Sequence, residues 1–134
     1  MKQKLILLRG CSGSGKSTMA QFLFDSGAVA HVLEADMFFQ YGGAYHFDAT
    51  KLGQAHTWCQ TYARNALREG HSICVSNTST TEKEVAVYAS MAEELGVEFI
   101  SLVVERRHGN DNVHNVPPEK VEQQAQRLRN NLKL

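Results

Sequence analysis

Gly10-Cys11-Ser12-Gly13-Ser14-Gly15-Lys16-Ser17 fits the pattern G-x-x-x-x-G-K-[ST], with Thr18 behind it. Each residue type in that pattern has a chemical reason. Glycines let several backbone N–H groups turn inward at the start of a helix, where they and the helix dipole face the oxygens of a phosphate chain. A lysine at position 16 can reach the β- and γ-phosphates, and a hydroxyl at position 17 can join the shell of a Mg²⁺ ion. Gly10, Ser12, Gly13, Ser14, Gly15, Lys16, Ser17 and Thr18 are therefore the expected nucleotide-binding residues, with Ser17 as the metal contact. A nucleoside triphosphate, ATP on grounds of abundance, and Mg²⁺ are the expected ligands. Neither an N-K-x-D guanine-reading motif nor a D-x-x-G switch is present, which argues against a GTPase.

Phosphoryl transfer to a hydroxyl also needs a group that orients the acceptor and takes its proton. Asp36, in Glu34-Ala35-Asp36-Met37, is the expected catalytic carboxylate, working with Lys16. Glu34 competes for that role, but strand alternation points it away from the side of Ala35. Next to Asp36 lie Phe38, Phe39, Tyr41, Tyr45 and Phe47, five of the chain's eleven Phe, Tyr and Trp residues within ten positions. They suit either stacking against a flat substrate such as a nucleobase, or a hydrophobic cluster that ties a loop down. Arg107, in the polar segment 105–116, is an expected catalytic arginine that neutralises charge developing during transfer. At Ser76, where many enzymes of this kind carry a metal-holding acid, the chain has a hydroxyl. Asn77 and Thr78 can contact substrate or start the next helix. His56 and Cys59 supply two of the four ligands that a structural zinc site needs.

These groups need a scaffold that gathers them. Lys4 to Arg9 is a short apolar run, and residues 16–26 read as a helix that Gly27 stops. Val29 to Ala35 suits a second strand, and 37–47 a loop. A helix from about Asp48 to Glu69 ends at Gly70. Ser72 to Ser76 reads as a third strand. Thr81 and Glu84 have capping-box spacing for a helix that ends at Gly96, and Val97 to Val104 reads as a fourth strand. Pro117-Pro118 opens a last helix to about residue 131. Strands alternating with helices predict an α/β, P-loop NTPase-like three-layer sandwich: a four-stranded parallel sheet, helices on both faces, and a C-terminal lid and helix. In such sheets ligands bind beyond the carboxyl ends of the strands, where every candidate above falls.

The 134 residues are read as a single domain, 1–134, without repeats or linkers. Fourteen Lys and Arg balance fourteen Asp and Glu, which argues against a polybasic membrane binder or a nucleic-acid coat protein. Residues 1–30 carry a net +3, residues 31–104 a net −5 and residues 105–134 a net +2, so an anion site forms if the ends meet. No apolar run reaches the length of a membrane span. Three widely spaced cysteines fit a reducing, cytoplasmic setting better than a disulfide framework. Oligomeric state is not legible.

The pattern resembles the small P-loop kinases related to the 5′-hydroxyl kinase half of bacteriophage-type polynucleotide kinase. The residues that carry the resemblance are Gly10 to Thr18, Ala35-Asp36 with Phe38-Phe39, Tyr45-His46-Phe47, Ala55-His56 with Cys59, Asn77-Thr78, and Arg107 followed by His114-Asn115-Val116-Pro117. It implies transfer of the ATP γ-phosphate to a 5′-hydroxyl end of DNA or RNA, with Asp36 as general base, Lys16 and Ser17 on nucleotide and metal, and Arg107 in a lid. The chain departs from that pattern at Phe39, where the phage-type enzyme has a substrate-gripping arginine. It departs again at Ser76 in place of an acid, and around Asp111 and Asn112, where a second lid arginine has no counterpart. A kinase of a small molecule (nucleoside or sugar) and a nucleotide-binding module without turnover are the alternatives.

Overall fold

β1 (Lys4–Arg9) is apolar on both sides because both sides are covered: after Lys4 every residue of the strand is buried. The computed structural model describes residues 2–11, 13–78, 81–105 and 116–131. After β1 come α1 (Lys16–Asp25), β2 (His31–Leu33), a 3-10 turn over Ala35–Phe39, and a hairpin of β3 (Gln40–Tyr41) and β4 (Ala44–Tyr45). A second 3-10 turn (Ala49–Lys51) leads into α2 (Leu52–Arg68), followed by β5 (Ile73–Ser76), α3 (Glu82–Leu95), β6 (Glu98–Val103) and α4 (Pro118–Asn130).

The four long-range strands form a parallel sheet in the order β2-β5-β1-β6. Strand alternation divides its core in two. Ile6, Leu8 and Cys74 pack with Ala20 of α1 on one face. Leu5, Leu7, Leu33, Ile73 and Val75 pack on the other face with Ala55, Cys59 and Ala63 of α2 and Tyr88, Met91 and Ala92 of α3. This is the expected three-layer α/β architecture, with four parallel strands and helices on both faces. The predicted cap at Thr81 is present, its Oγ1 accepting from the Glu84 N–H at 3.3 Å.

Residues 37–47, expected as a loop, are ordered more tightly than that. Tyr41 pairs with Ala44 across a two-residue turn, and Gly42 and Gly43 both have positive φ (61° and 77°). That turn matches the twist of the flanking strands and needs residues that tolerate the left-handed region. Two residues per strand are too few to leave a period in the sequence. β2 is shorter than the predicted 29–35, because the chain turns into the 3-10 segment at Ala35 as soon as it clears the sheet.

Arg9 ends β1 with no exposed surface at all. Its Nη2 donates to the backbone oxygen of Asn131 at 2.9 Å, and burial pulls its guanidinium below the ordinary range while Glu84 and Glu82 work in the opposite direction. A buried guanidinium is stable only with such partners. It ties the strand that leads into the glycine loop to the end of α4.

Candidate functional site

The carboxyl ends of β1, β2 and β5 bring three sequence segments together. The first is the glycine loop. Gly10 donates its N–H to the Thr78 oxygen at 3.1 Å, joining the loop to the end of β5. A Cβ at Gly10 would lie 2.6 Å from the backbone oxygen of Val104 and 2.6 Å from Ser14 Oγ, so the loop closes against β6 only with glycine here. Lys16 Nζ donates to the Cys11 oxygen at 3.1 Å, which folds the side chain back along the loop. Burial lowers the affinity of Lys16 for its proton, and Cys11, Glu34 and Asp36 oppose that. Both carboxylates of the β2 end are thus in electrostatic reach of the lysine.

The second segment follows β2. Val32 packs on the α1 side of the sheet and Leu33 on the α2 side, so the extended residue 34 faces α1. There the Ser17 hydroxyl donates to Glu34 Oε1 at 3.1 Å. The alternation predicted for Glu34 holds, and it delivers the carboxylate to the first turn of α1. In sequence Glu34 stands out only as a rival of Asp36, because its partnership with α1 depends on residue 34 and α1 sharing a layer of the fold. Asp36, in the 3-10 turn, accepts at Oδ1 from the Tyr45 hydroxyl at 3.3 Å. Partial burial raises the Tyr45 phenol above its ordinary range, and the neighbouring carboxylate adds to the effect.

The third segment is the end of β5. Asn77 is buried, and its Oδ1 accepts the Ala35 N–H at 2.8 Å, one residue before Asp36. Its Nδ2 faces Cys59 Sγ at 3.9 Å, and that sulfur also accepts from Tyr88 at 3.5 Å. Asn77 therefore anchors the turn that carries Asp36. His56 and Cys59 do not share a direction: Cys59 is buried among Asn77 and Tyr88, while His56 is exposed. Among the described residues no three His, Cys, Asp or Glu side chains converge as a metal site. His56, Gln60, Asn77, Lys83, Glu84, Val87 and Tyr88 line an open cleft of about 220 Å³ between α2 and α3, beside Asn77.

The aromatic segment divides into a packed half and an exposed half. Phe39 is 2% exposed, with its ring centroid 5.4 Å from Phe38 and 5.3 Å from Phe47, and Phe38 leans on Trp58 of α2. That half is core. Tyr41 and Phe47 are 59% and 54% exposed, and Tyr41 stacks on His46 at 4.0 Å and 17°. Ser12 and Arg107 lie outside the described residues. Ser17, Glu34 and Asp36 offer hard oxygens, the donor chemistry that suits Mg²⁺, an ion that keeps several of its own waters.

Residues 5–110 match the AAA domain family. The chain belongs to that family. A sequence relative is human NEDD4-binding protein 2, 36% identical over 91 residues that cover 67% of this chain and 5% of that protein. The chain thus spans a small part of that relative. Among solved structures, a chain of the Pnkp1/Rnl/Hen1 RNA repair complex superposes with a TM-score of 0.72 at 16% identity, covering 96% of this chain and 45% of that one. A cysteine-to-alanine variant of the Mycobacterium tuberculosis APS kinase CysC gives 0.62 at 16% identity, covering 96% and 98%. These likenesses establish the fold of a P-loop kinase-like domain. No helix among the described residues is long and apolar enough to cross a membrane.

Proposed function

We propose that the chain is an ATP- and Mg²⁺-dependent kinase that transfers the γ-phosphate to a hydroxyl, the 5′-hydroxyl end of DNA or RNA being the acceptor. The observation that carries this reading is the position of Asp36. It follows the end of β2 beside the glycine loop, and its carboxylate accepts a hydrogen bond from Tyr45 of an aromatic hairpin. A base that stands between a phosphate cradle and exposed rings suits an acceptor that ends in a stacked nucleobase. The resemblance to 5′-hydroxyl kinases and the fold shared with a chain of an RNA repair complex support the same acceptor.

In this reaction the acceptor oxygen attacks the γ-phosphorus while the bond to the β–γ bridging oxygen breaks, and ADP departs. Asp36 orients the hydroxyl and takes its proton as the new bond forms. The loop amides and Lys16 hold the phosphate chain in line, and Arg107 balances charge on the transferred group. Ser17 would hold Mg²⁺ with a carboxylate from the end of β2, and the ion would supply charge neutralisation on the phosphate chain.

A small-molecule acceptor is the second reading, and one observation favours it. Phe39 stands where the phage-type enzyme has its substrate-gripping arginine, and it is buried in the core, so that grip is absent from this position.

One experiment separates the readings. γ-labelled ATP and Mg²⁺ are offered with 5′-hydroxyl DNA, 5′-hydroxyl RNA, nucleosides and sugars in parallel. Label on oligonucleotide ends supports the first reading, and label on small molecules alone supports the second. Binding of ATP without transfer to any of them would make the chain a nucleotide-binding module. Asp36→Asn should lower turnover by ~10² or more with little change in ATP affinity. Equal rates for the two proteins remove Asp36 from the mechanism.

A further inference from the structure

Ser76 ends β5 with 4% of its surface exposed, and its hydroxyl has no hydrogen-bond partner among the described residues. Cys74, two positions earlier, belongs to the core on the α1 side, so alternation turns Ser76 toward the same layer as the first turn of α1. The position has the direction of a metal-holding acid and lacks the carboxylate. One strand away, Glu34 sits on that same layer, and its Oε1 already accepts from the Ser17 hydroxyl at 3.1 Å.

We propose that Glu34 is the acid that organises the nucleotide-bound divalent cation, replacing from β2 the carboxylate that β5 does not provide. The inference rests on the nucleotide-binding part of the proposed function and adds a role that separates Glu34 from Asp36. Electrostatics make the role specific. A carboxylate beside a phosphate-binding loop repels a triphosphate, and a cation standing between them reverses the sign of that interaction. Glu34 therefore weakens metal-free nucleotide binding and strengthens metal-bound binding. Its contact with Ser17 holds the hydroxyl and the carboxylate together as a pair of hard oxygens, so the ion meets a prepared edge on which its waters can be held. Asp36 is held by Tyr45 on the hairpin side and stays available for the acceptor.

The test is calorimetric titration of a non-hydrolysable ATP analogue into wild type and Glu34→Gln, once in Mg²⁺ and once in EDTA. The readout is the ratio of the two affinities, which does not depend on turnover. Glu34→Gln is close in shape to the native side chain and only half-buried, so folding is expected to survive. Wild type should bind more tightly with Mg²⁺, and Glu34→Gln should shrink that enhancement about 10- to 100-fold, with metal-free binding equal to or tighter than wild type. Titrating Mn²⁺ into the analogue complex, followed by its electron spin resonance, should show the same weakening of the ion. Full retention of the enhancement in Glu34→Gln overturns the proposal, and so does a loss of affinity that is equal in Mg²⁺ and EDTA. A turnover defect with the enhancement intact also overturns it and makes Glu34 an acceptor-side group, leaving the kinase reading in place. Wild type that binds no analogue in either buffer overturns both.

Discussion

Replacing Asn77 by alanine should damage the site without touching any group that meets a ligand. The Asn77 carboxamide makes one strong contact, Oδ1 accepting the Ala35 N–H at 2.8 Å, and one weak contact, Nδ2 to Cys59 Sγ at 3.9 Å. Ala35 is itself buried, so Asn77→Ala leaves a backbone N–H without its acceptor in a place water does not reach freely. Such an orphan costs about 1–3 kcal/mol, and the atoms removed add a small cavity term. With roughly 3–5 °C of melting temperature per kcal/mol for a chain of this size, a drop of about 3–15 °C is expected in thermal unfolding followed by circular dichroism. The second effect is on rate. Asp36 follows Ala35 directly, and a displacement on the order of 1 Å in a group that takes part in transfer costs up to about 10² in kcat. Cys59→Ala is the control: it removes the weak sulfur contact and keeps the Ala35 bond, so kcat should stay near wild type while some packing stability is lost. If Asn77→Ala melts with wild type, or melts lower but turns over at the wild-type rate, Asn77 does not position the Asp36 turn.

Two further outcomes follow from the geometry. Tyr41→Ser and Phe47→Ser remove exposed rings, and each should raise the KM for a 5′-hydroxyl oligonucleotide by about 5- to 150-fold, the worth of one stacked base, with the KM for ATP unchanged; an equal effect on a sugar or other non-aromatic acceptor would show that the hairpin does not read bases. Gly10→Ala drives a Cβ to 2.6 Å from the Val104 backbone oxygen, so strand ends must shift at a cost of about 1–3 kcal/mol, visible as a lower melting temperature and a smaller upshift on adding ATP.

The parts of this fold that were legible in the sequence are those written in local chemistry. The glycine loop, the Thr81–Glu84 cap and the proline start of α4 announce themselves by residue type, and the alternation of apolar runs implied a parallel sheet. Asp36 could be singled out as a candidate because it follows the end of a strand beside the glycine loop. What escaped depends on meetings between distant segments. The bond between Ser17 and Glu34 requires knowing that α1 and the extended residue 34 share a layer, which follows only after β2 is placed at the edge of the sheet. The hairpin escaped because two-residue strands carry no period, and the aromatic segment read as one feature although Phe39 belongs to the core and Tyr41 to the surface. Arg9 is an arginine at a strand end, indistinguishable in sequence from a solvated one, yet it is wholly buried.

That burial bears on where this unit can be divided. The family match stops at residue 110, but the Arg9 guanidinium reaches its oxygen at residue 131. A fragment trimmed to the matched span would remove that acceptor from a buried guanidinium at the end of the strand that leads into the glycine loop. A fragment meant to keep this contact has to run through Asn131.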